Sequence, residues 1–262
     1  MNVHVPLLGL RLRISLEKRN ALRYFLMPES PLLELMRSET KFSGKEYGRE
    51  KQRSLAFLSY LQSEPFWKKD AGYEFCGKHL ARLIQPGCVI LDVGCSVGHL
   101  PVYLKHLELW DGVTYFGVDL DRADIGVAQQ AHSKGAFVVC DIQQTLPFRS
   151  PGFDIVYSKG TIISTYFPYR ALDAIADVAS KYLILVHTPL TARQTPGSDG
   201  FISMVCASQD NAYVSTVMQE RLFMERISDK GFTVSDVRVR RKPHKVENFG
   251  TYRLYDFLLV RT

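Results

Sequence analysis

The pattern of apolar and polar positions after residue 88 predicts alternating strands and helices. Five apolar runs recur at similar spacing, at residues 89–93, 114–119, 136–141, 153–158 and 182–187. Near-continuous apolar runs of this length are typical of parallel strands that are buried on both faces. Between two of the runs, Leu100, Leu104 and Leu107 recur at helical spacing. The alternation predicts a doubly wound α/β sheet.

The C-terminal part of the chain breaks this alternation. Residues 232–239 and 252–260 are two strand-like runs separated by a polar loop, which predicts an antiparallel hairpin at the sheet edge. Residues 210–230 are predicted to form a helix that ends at Gly231. The segment 190–209 is rich in Thr, Pro, Gly and Ser, and we expect a loop there in the position of a lid.

The first 70 residues are predicted to form an N-terminal helical cap, which leaves residues 71–262 as the α/β domain. Apolar and polar residues alternate over Leu10–Leu16, which indicates a short strand. Residues 17–27 and 50–62 are predicted to be helices. The preferred interpretation is a cap that packs on the core and roofs a pocket, and an element lying on a membrane surface is the alternative.

Composition and charge narrow the class of protein. The chain has 262 residues, of which 46% are hydrophobic and 23% charged, so it is globular and can bury a large core. The net charge of +6 by itself suggests an acidic partner. However, residues 81–232 carry a net charge of −3, and the basic excess lies in residues 1–80 and 233–262. The distribution therefore indicates a cationic ligand in the centre and leaves the partner open.

Cysteine usage and the absence of long apolar segments indicate the compartment. The five cysteines contain no C-x-x-C pair, which favours neither a zinc site nor a disulfide framework. No segment has the features of a secretion signal or the length of a transmembrane helix. The cytoplasm is therefore the expected compartment, and the oligomeric state stays open.

A glycine-containing stretch follows the first predicted strand of the sheet. Asp92, Gly94 and Gly98 stand in the spacing D-x-G-x-x-x-G between this strand and a helix. Glycines there let the backbone turn sharply and approach a ligand. The dinucleotide-binding pattern G-x-G-x-x-G is missing its second glycine, because position 96 is Ser96. The spacing argues against a nicotinamide or flavin dinucleotide.

Two further carboxylates stand at the ends of the next two predicted strands. Asp119 is placed to accept hydrogen bonds from both hydroxyls of a ribose. Asp141 is placed to accept from an adenine amine, and Ile142 beside it offers apolar surface to the ring. Together with Asp92, these acids meet at the edge of the sheet where α/β proteins bind ligands. They suit a cationic adenosine ligand without phosphates.

In these motifs the sequence resembles the class I S-adenosylmethionine-dependent methyltransferases, over about residues 75–262. The run Leu146–Phe148 followed by residues 152–157 is similar to the "LPF…FD" block of the subgroup that methylates small molecules. The resemblance implies a Rossmann-like seven-stranded sheet with a terminal antiparallel hairpin, and S-adenosylmethionine as the cofactor. Metal-dependent, catechol-type members of this family use an Asp-Asn pair after the fifth strand. Here Asp210 and Asn211 lie more than twenty residues beyond that strand, so no metal is expected.

The resemblance also implies roles for individual residues of this sequence. The glycine-rich motif, with Gly94, Cys95 and Gly98, is expected to approach the methionine part of the ligand. Leu120 and Ile142 are expected to sandwich the adenine. The ribose-binding acid corresponds to Asp119, the adenine-contacting acid to Asp141, and the Ser158 backbone faces the methionine amine.

Residues near the ends of the fourth and fifth strands are candidates for the catalytic base. Methyl transfer needs alignment and exclusion of water, and a hydroxyl acceptor also loses a proton. His187 is the first candidate because an imidazole titrates near working pH, with a hydrogen-bonded loop histidine as the plain alternative. His99 is the second candidate, followed by Lys159 and Tyr157.

Three hypotheses describe the acceptor. The first is O-methylation of a small molecule such as a sugar, a lipid-linked compound or a secondary metabolite. The second is methylation of RNA or protein that docks on the basic ends, where five basic residues cluster: Arg238, Arg240, Arg241, Lys242 and Lys245. The third is a non-catalytic subunit that binds the methyl donor and serves a partner chain.

Overall fold

The computed structural model describes most of the chain. The described residues are 2–7, 10–15, 23–26, 44–63, 65–144, 146–148, 152–193, 200–207, 212–240, 242–246 and 250–262. Six α-helices lie within them: α1 (Gly44–Ser63), α2 (Ala71–Leu83), α3 (His99–His106), α4 (Arg122–Ala131), α5 (Pro168–Val178) and α6 (Glu220–Asp229). The strands there are β1 (Asn2–Leu7), β2 (Leu10–Ser15), β3 (Arg23–Leu26), β4 (Cys88–Val93), β5 (Val113–Asp119), β6 (Ala136–Val139), β7 (Phe153–Lys159), β8 (Ala179–Thr191), β9 (Phe201–Ala207), β10 (Ala212–Gln219), β11 (Phe232–Val239), β12 (His244–Val246) and β13 (Gly250–Arg261).

Among the described residues, seven strands of the eleven-stranded central sheet follow the order β6-β5-β4-β7-β8-β13-β11. The first five of these strands are parallel to one another. Strand β13 runs antiparallel to both β8 and β11 and closes the sheet. The predicted Rossmann-like α/β sheet with a terminal antiparallel pair is confirmed. The sheet is larger than the seven strands expected, because β10 pairs with β8 and joins β9 and β3 to it, and β12 pairs with β13. The carboxyl ends of β4, β5 and β6 lie side by side, which brings the three predicted acids to one edge.

Both faces of the sheet are covered, and this explains the continuous apolar runs. In β4, Ile90 packs into the cluster formed with α2 and α3, and the next residue, Leu91, packs into the cluster formed with α5. Both side chains are completely buried. Because neighbouring residues of a strand point to opposite faces, a strand covered on both sides is apolar throughout.

The segment between β8 and β11 differs from its prediction. Residues 190–209 were expected to be a loop, but β8 extends to Thr191 and β9 occupies Phe201–Ala207; residues 194–199 and 208–209 lie outside the described residues. Residues 210–230 were expected to be one helix, but Ala212–Gln219 is strand β10, and only Glu220–Asp229 is helical. Strand β10 pairs antiparallel with β9 over Ala212–Met218, and its last two residues pair in parallel with β8. The β-branched residues Val214, Thr216 and Val217 favour that pairing over a helix.

The N-terminal region contains more strand than predicted. The strand expected over Leu10–Leu16 is confirmed as β2, which pairs antiparallel with β1. The helix expected over residues 50–62 is confirmed within α1. The helix expected over residues 17–27 is wrong where the structure describes it, because β3 there pairs antiparallel with β9. Partners from distant parts of the chain supply backbone hydrogen bonds that a local pattern does not reveal. The division of the chain at residue 70 stays a prediction.

Candidate active site

The loop after β4 turns sharply and is closely packed. Gly94 and Gly98 have φ angles of +78° and +96°, in the left-handed region that favours glycine. A Cβ on Gly94 would overlap the side chain of Thr161, whose hydroxyl donates to the Val93 carbonyl at 2.8 Å. A Cβ on Gly98 would overlap the His132 ring. The two glycines are therefore required by both conformation and space.

Asp119, at the end of β5, holds the next part of this loop. Its Oδ2 accepts from the Ser96 backbone N–H at 2.9 Å, and its Oδ1 accepts from the Asp121 N–H at 2.9 Å. Burial raises the pKa of Asp119, while these two amide hydrogen bonds act in the opposite direction. The carboxylate is fixed between two backbone segments and borders the space above the loop.

Asp92 lies deepest in the site. It is buried, and its Oδ2 accepts a hydrogen bond of 2.6 Å from the Tyr115 hydroxyl. Burial raises the pKa of Asp92 to about 7, and the nearby charge of Asp119 acts in the same direction, although the Tyr115 hydrogen bond opposes both. Such a carboxyl is stabilised in its ionised form by a cation that enters the site.

The turn after β6 carries the third acid. Asp141 Oδ1 accepts from the Gln143 N–H at 3.0 Å and from its Nε2 at 3.2 Å. The Gln143 Oε1 in turn accepts from the N–H groups of Tyr166 and Phe167 at 2.7 and 3.0 Å. Gln143 therefore links the turn of Asp141 to the segment that leads into α5.

A cavity of about 370 Å³ opens between these elements. It is lined by seven of the nine residues predicted to bind the cofactor, namely Asp92, Gly94, Cys95, Asp119, Leu120, Asp141 and Ile142. The other two, Gly98 and Ser158, are not part of the lining. Leu120 is 61% exposed, and Ile142 is buried. Ser158 is buried next to the cavity wall on β7, and its hydroxyl has no hydrogen-bond partner among the described residues.

His99 lines the same cavity at the start of α3. Its ring lies against Phe57 of α1 and against Phe66, with centroid distances of 4.9 and 5.8 Å. Burial and the charge of Lys159 lower the pKa of His99 to about 4. The imidazole is therefore neutral at physiological pH and has a nitrogen available as an acceptor.

Lys159, at the end of β7, also lines the cavity. Its Nζ lies 2.8 Å from Asp70 Oδ2 and 4.8 Å from the centre of the Tyr73 ring. Asp70 is the N-cap of α2 and accepts from the Gly72 N–H at 2.8 Å. Burial alone would raise the pKa of Asp70, but hydrogen bonds from His187 and Lys159 hold it well below its ordinary value.

His187 does not line the cavity. Its Nε2 lies 3.1 Å from Asp70 Oδ1 and contacts the Arg240 guanidinium, and its backbone N–H donates to the fully buried Asp256. The residue has a φ of +61°, so the backbone turns there and the ring packs against α2. The structure brings His99 and Lys159 to the cavity and leaves the first candidate, His187, in the wall behind them.

Comparison with protein families decides the class of this site. Residues 91–184 match a family model described as a methyltransferase domain, and this segment contains all three strand-end acids. Residues 91–184 therefore belong to a class I S-adenosylmethionine-dependent methyltransferase domain. The predicted family, the enzyme class and S-adenosylmethionine as the methyl donor are confirmed. The roles of individual residues within the methyltransferase site stay predictions.

Known proteins similar to this methyltransferase agree on the fold. Over 96 residues, 36% of the chain, it is 34% identical to Probable tRNA methyltransferase 9B of Bos taurus, and the match spans only 19% of that relative's length. A S-adenosylmethionine-dependent methyltransferase of Methanosarcina mazei aligns with a TM-score of 0.52 and 18% identity, covering 70% of this chain and 96% of its own. A chain from the complex between the Haloferax volcanii Trm112 methyltransferase activator and a methyltransferase aligns with a TM-score of 0.51 and 16% identity, covering 81% and 96%.

Several residues of the methyltransferase site escaped the sequence analysis. Thr161, Gln143, Ser164 and Thr165 line the cavity but follow no motif, because they lie in loops that reach it from β6 and β7. The expectation that the reaction needs no metal also stays a prediction. Asp210 and Asn211, on which it rested, lie outside the described residues. None of the described helices has the length and apolarity needed to cross a bilayer.

Proposed function

We propose that this methyltransferase transfers the methyl group of S-adenosylmethionine to a hydroxyl of a small molecule. The observation that supports this function is the cavity, in which three carboxylates meet a single lysine among the described lining residues. Such a set favours a ligand with positive charge and no phosphates. When bound, S-adenosylmethionine supplies an electrophilic methyl group on a sulfonium.

The residues of the strand ends fit the parts of this donor. Asp119 would accept from the ribose hydroxyls, and Asp141 would face the adenine amine. The exposed Leu120 and the buried Ile142 would cover the two faces of the adenine ring. Asp92 would offer negative charge to the cationic end, beside the backbone of Gly94. Burial raises the pKa values of Asp92 and Asp119, and a positive charge bound beside them would favour their ionised forms.

The aromatic residues of the cavity favour a small acceptor. Tyr73 and Tyr157 line the cavity together with His99 and Lys159, and aromatic rings there would help to keep water from the reacting atoms. Neutral His99 would accept the proton of the acceptor hydroxyl as the new bond forms. Lys159 Nζ would donate to the acceptor oxygen and orient it, since Asp70 and the Tyr73 face hold the ammonium group in place.

The decisive test combines donor binding with a search for the acceptor. Calorimetry should show binding of S-adenosylmethionine and no binding of NAD, and Asp119→Ala should weaken the former by about tenfold or more. Isotopically labelled donor is then incubated with pools of small hydroxylated compounds. Label transfer that is lost in His99→Gln, with donor affinity intact, would support the proposal. Undiminished donor binding by Asp119→Ala would contradict it.

A tRNA acceptor is the second candidate, favoured by the 34% identity to Probable tRNA methyltransferase 9B and by the basic C-terminal strands. Arg238 and Arg240 are, however, engaged by Asp256 and Asp70. A polyanion bound through surface lysines and arginines would dissociate steeply as salt is raised. Measuring tRNA binding between 50 and 200 mM salt, roughly the range over which such contacts weaken strongly, separates the two candidates.

A further inference from the structure

A chain of hydrogen bonds connects α1 to the donor side of the cavity. The Ser54 hydroxyl of α1 donates to Asp124 Oδ1 at 2.5 Å, and the Ser96 hydroxyl donates to Asp124 Oδ2 at 2.7 Å. The Ser96 backbone N–H donates in turn to Asp119. Asp124 lies in the first turn of α4, after its N-cap Asp121. Both of its oxygens are therefore used, one by α1 and one by the glycine-containing loop.

The loop at the centre of this chain is strained. Ser96 has a φ of +49°, a left-handed conformation that is costly for a residue other than glycine. Such conformations persist only where the surroundings hold them. The Ser96 amide donates to Asp119, its hydroxyl donates to Asp124, and its carbonyl accepts from the Cys95 thiol at 3.6 Å. A rotation of the Asp124 carboxylate would remove the bond of the hydroxyl.

Ser54 is positioned to prevent that rotation. It is only 2% exposed although it lies on a helix whose neighbouring side chains Arg53 and Leu55 are exposed. The Glu50 carbonyl of the same helix, 3.0 Å from the Ser54 hydroxyl, is the alternative acceptor for its single proton, and Asp124 is the nearer of the two. A second contact joins α1 to the cavity three residues on, where Phe57 packs on the His99 ring.

We propose that Ser54 is a positioning residue for the methyl donor site. The docking of α1 holds Asp124, Asp124 holds Ser96, and Ser96 keeps the Asp119 carboxylate oriented toward the ribose. Docking of α1 and binding of the donor then stabilise each other, because a coupling between two sites acts equally in both directions. The inference rests on donor binding in the proposed function and needs no particular acceptor.

The test measures donor affinity and the protection of α1 together. Ser54→Ala should raise the dissociation constant of S-adenosylmethionine by about fivefold or more, the lower end of usual coupling between sites. Ser54→Thr keeps the hydroxyl and should restore binding to within about twofold. Ser63→Ala removes a hydroxyl at the exposed end of the same helix and is the matched control, with no effect on affinity expected.

Two readouts separate positioning from general stability. The donor should slow amide hydrogen exchange across residues 50–62 in the wild type and in Ser63→Ala, but not in Ser54→Ala. Adding Ser96→Ala to Ser54→Ala should cost less affinity than it does in the wild type, because both act through Asp124.

The outcomes distinguish this inference from the proposed function. Equal donor affinity of Ser54→Ala and the wild type, or additive effects of Ser54→Ala and Ser96→Ala, would overturn the inference alone. A wild-type chain that fails to bind the donor would overturn the proposed function and this inference together. Apo unfolding temperatures of all variants show whether each one is folded during the binding measurement.

Discussion

Replacing Asp92 with Asn removes a buried carboxyl whose ionisation the fold opposes. The side chain is 2% exposed, and its described hydrogen bond comes from the Tyr115 hydroxyl. An asparagine has nearly the same shape and still accepts this hydrogen bond through its Oδ1. The substitution therefore removes the charge and leaves the packing close to that of the wild type.

The expected effect on stability follows from the pKa of Asp92. Its rise from 3.8 to about 7 means that, between these pH values, the folded protein binds one proton that the unfolded chain has lost. The wild type therefore loses stability as pH rises through this window, by about 1.4 kcal/mol per pH unit. Across the whole window this amounts to about 4 kcal/mol. The free energy of unfolding of Asp92→Asn should exceed that of the wild type by an amount that grows by about 3 kcal/mol between pH 5 and pH 8.

The affinity for the donor should change with pH in the opposite direction to the stability of the wild type. A cation in the cavity favours the ionised carboxyl, so binding of S-adenosylmethionine to the wild type should release a proton near pH 6. The affinity of the wild type should fall below pH 7, whereas that of Asp92→Asn should be weaker and nearly independent of pH. Denaturant unfolding from pH 5 to pH 8 measures the first effect. Calorimetry in two buffers of different ionisation enthalpy measures the second.

A control and a refuting result complete this prediction. Asp111→Asn removes a carboxyl that is 82% exposed, and the difference between it and the wild type should be flat across the same pH range. If the stabilities of Asp92→Asn and the wild type keep a constant difference from pH 5 to pH 8, the carboxyl is already ionised at pH 5. Burial would then not raise the pKa of Asp92 as expected.

Three further predictions test other parts of the site and its support. Gly94→Ala should abolish measurable donor binding, because its Cβ would overlap Thr161 at a φ of +78°, and a calorimetric affinity close to that of the wild type would contradict this. Asp256→Ala should lower the free energy of unfolding by about 3 kcal/mol, measured in urea, because it removes a fully buried carboxylate that accepts from the His187 amide and pairs with the Arg238 guanidinium. His187→Gln should keep the maximal rate of methyl transfer within about twofold while His99→Gln lowers it about a hundredfold, and the reverse order of rates would restore His187 as the base.

Most of the sheet could be predicted from the chain because its strands are covered on both faces. The apolar runs that form β4, β5, β7 and β8 are nearly continuous. Such runs are typical of strands that are buried on both faces. Strands β9 and β10 are also rich in apolar residues, but they were predicted as parts of a loop and a helix. Their pairing depends on each other and, through β3, on a segment almost two hundred residues away. The helix predicted over residues 210–230 therefore included β10, because the local sequence does not show the distant strands with which β10 pairs.

The meeting of three carboxylates at the cavity was predictable for a related reason. Asp92, Asp119 and Asp141 each follow directly from the end of a predicted strand, and parallel strands bring their carboxyl ends to one edge. The acceptor side was not. His187 also stands near a strand end, yet a left-handed turn directs its ring to Asp70 and away from the cavity.

The sequence by itself determined three features: the order of the apolar runs that form the strands, the glycine turn after β4, and the positions of three carboxylates at the strand ends. Each of these depends on residues that are only a few positions apart. Only the tertiary structure decided which side chains complete the site. Gln143 reaches the segment before α5, and Ser54 reaches Asp124 from an N-terminal helix. Contacts between residues far apart in the chain depend on the geometry with which helices and loops pack on the sheet, and no spacing along the sequence encodes that geometry.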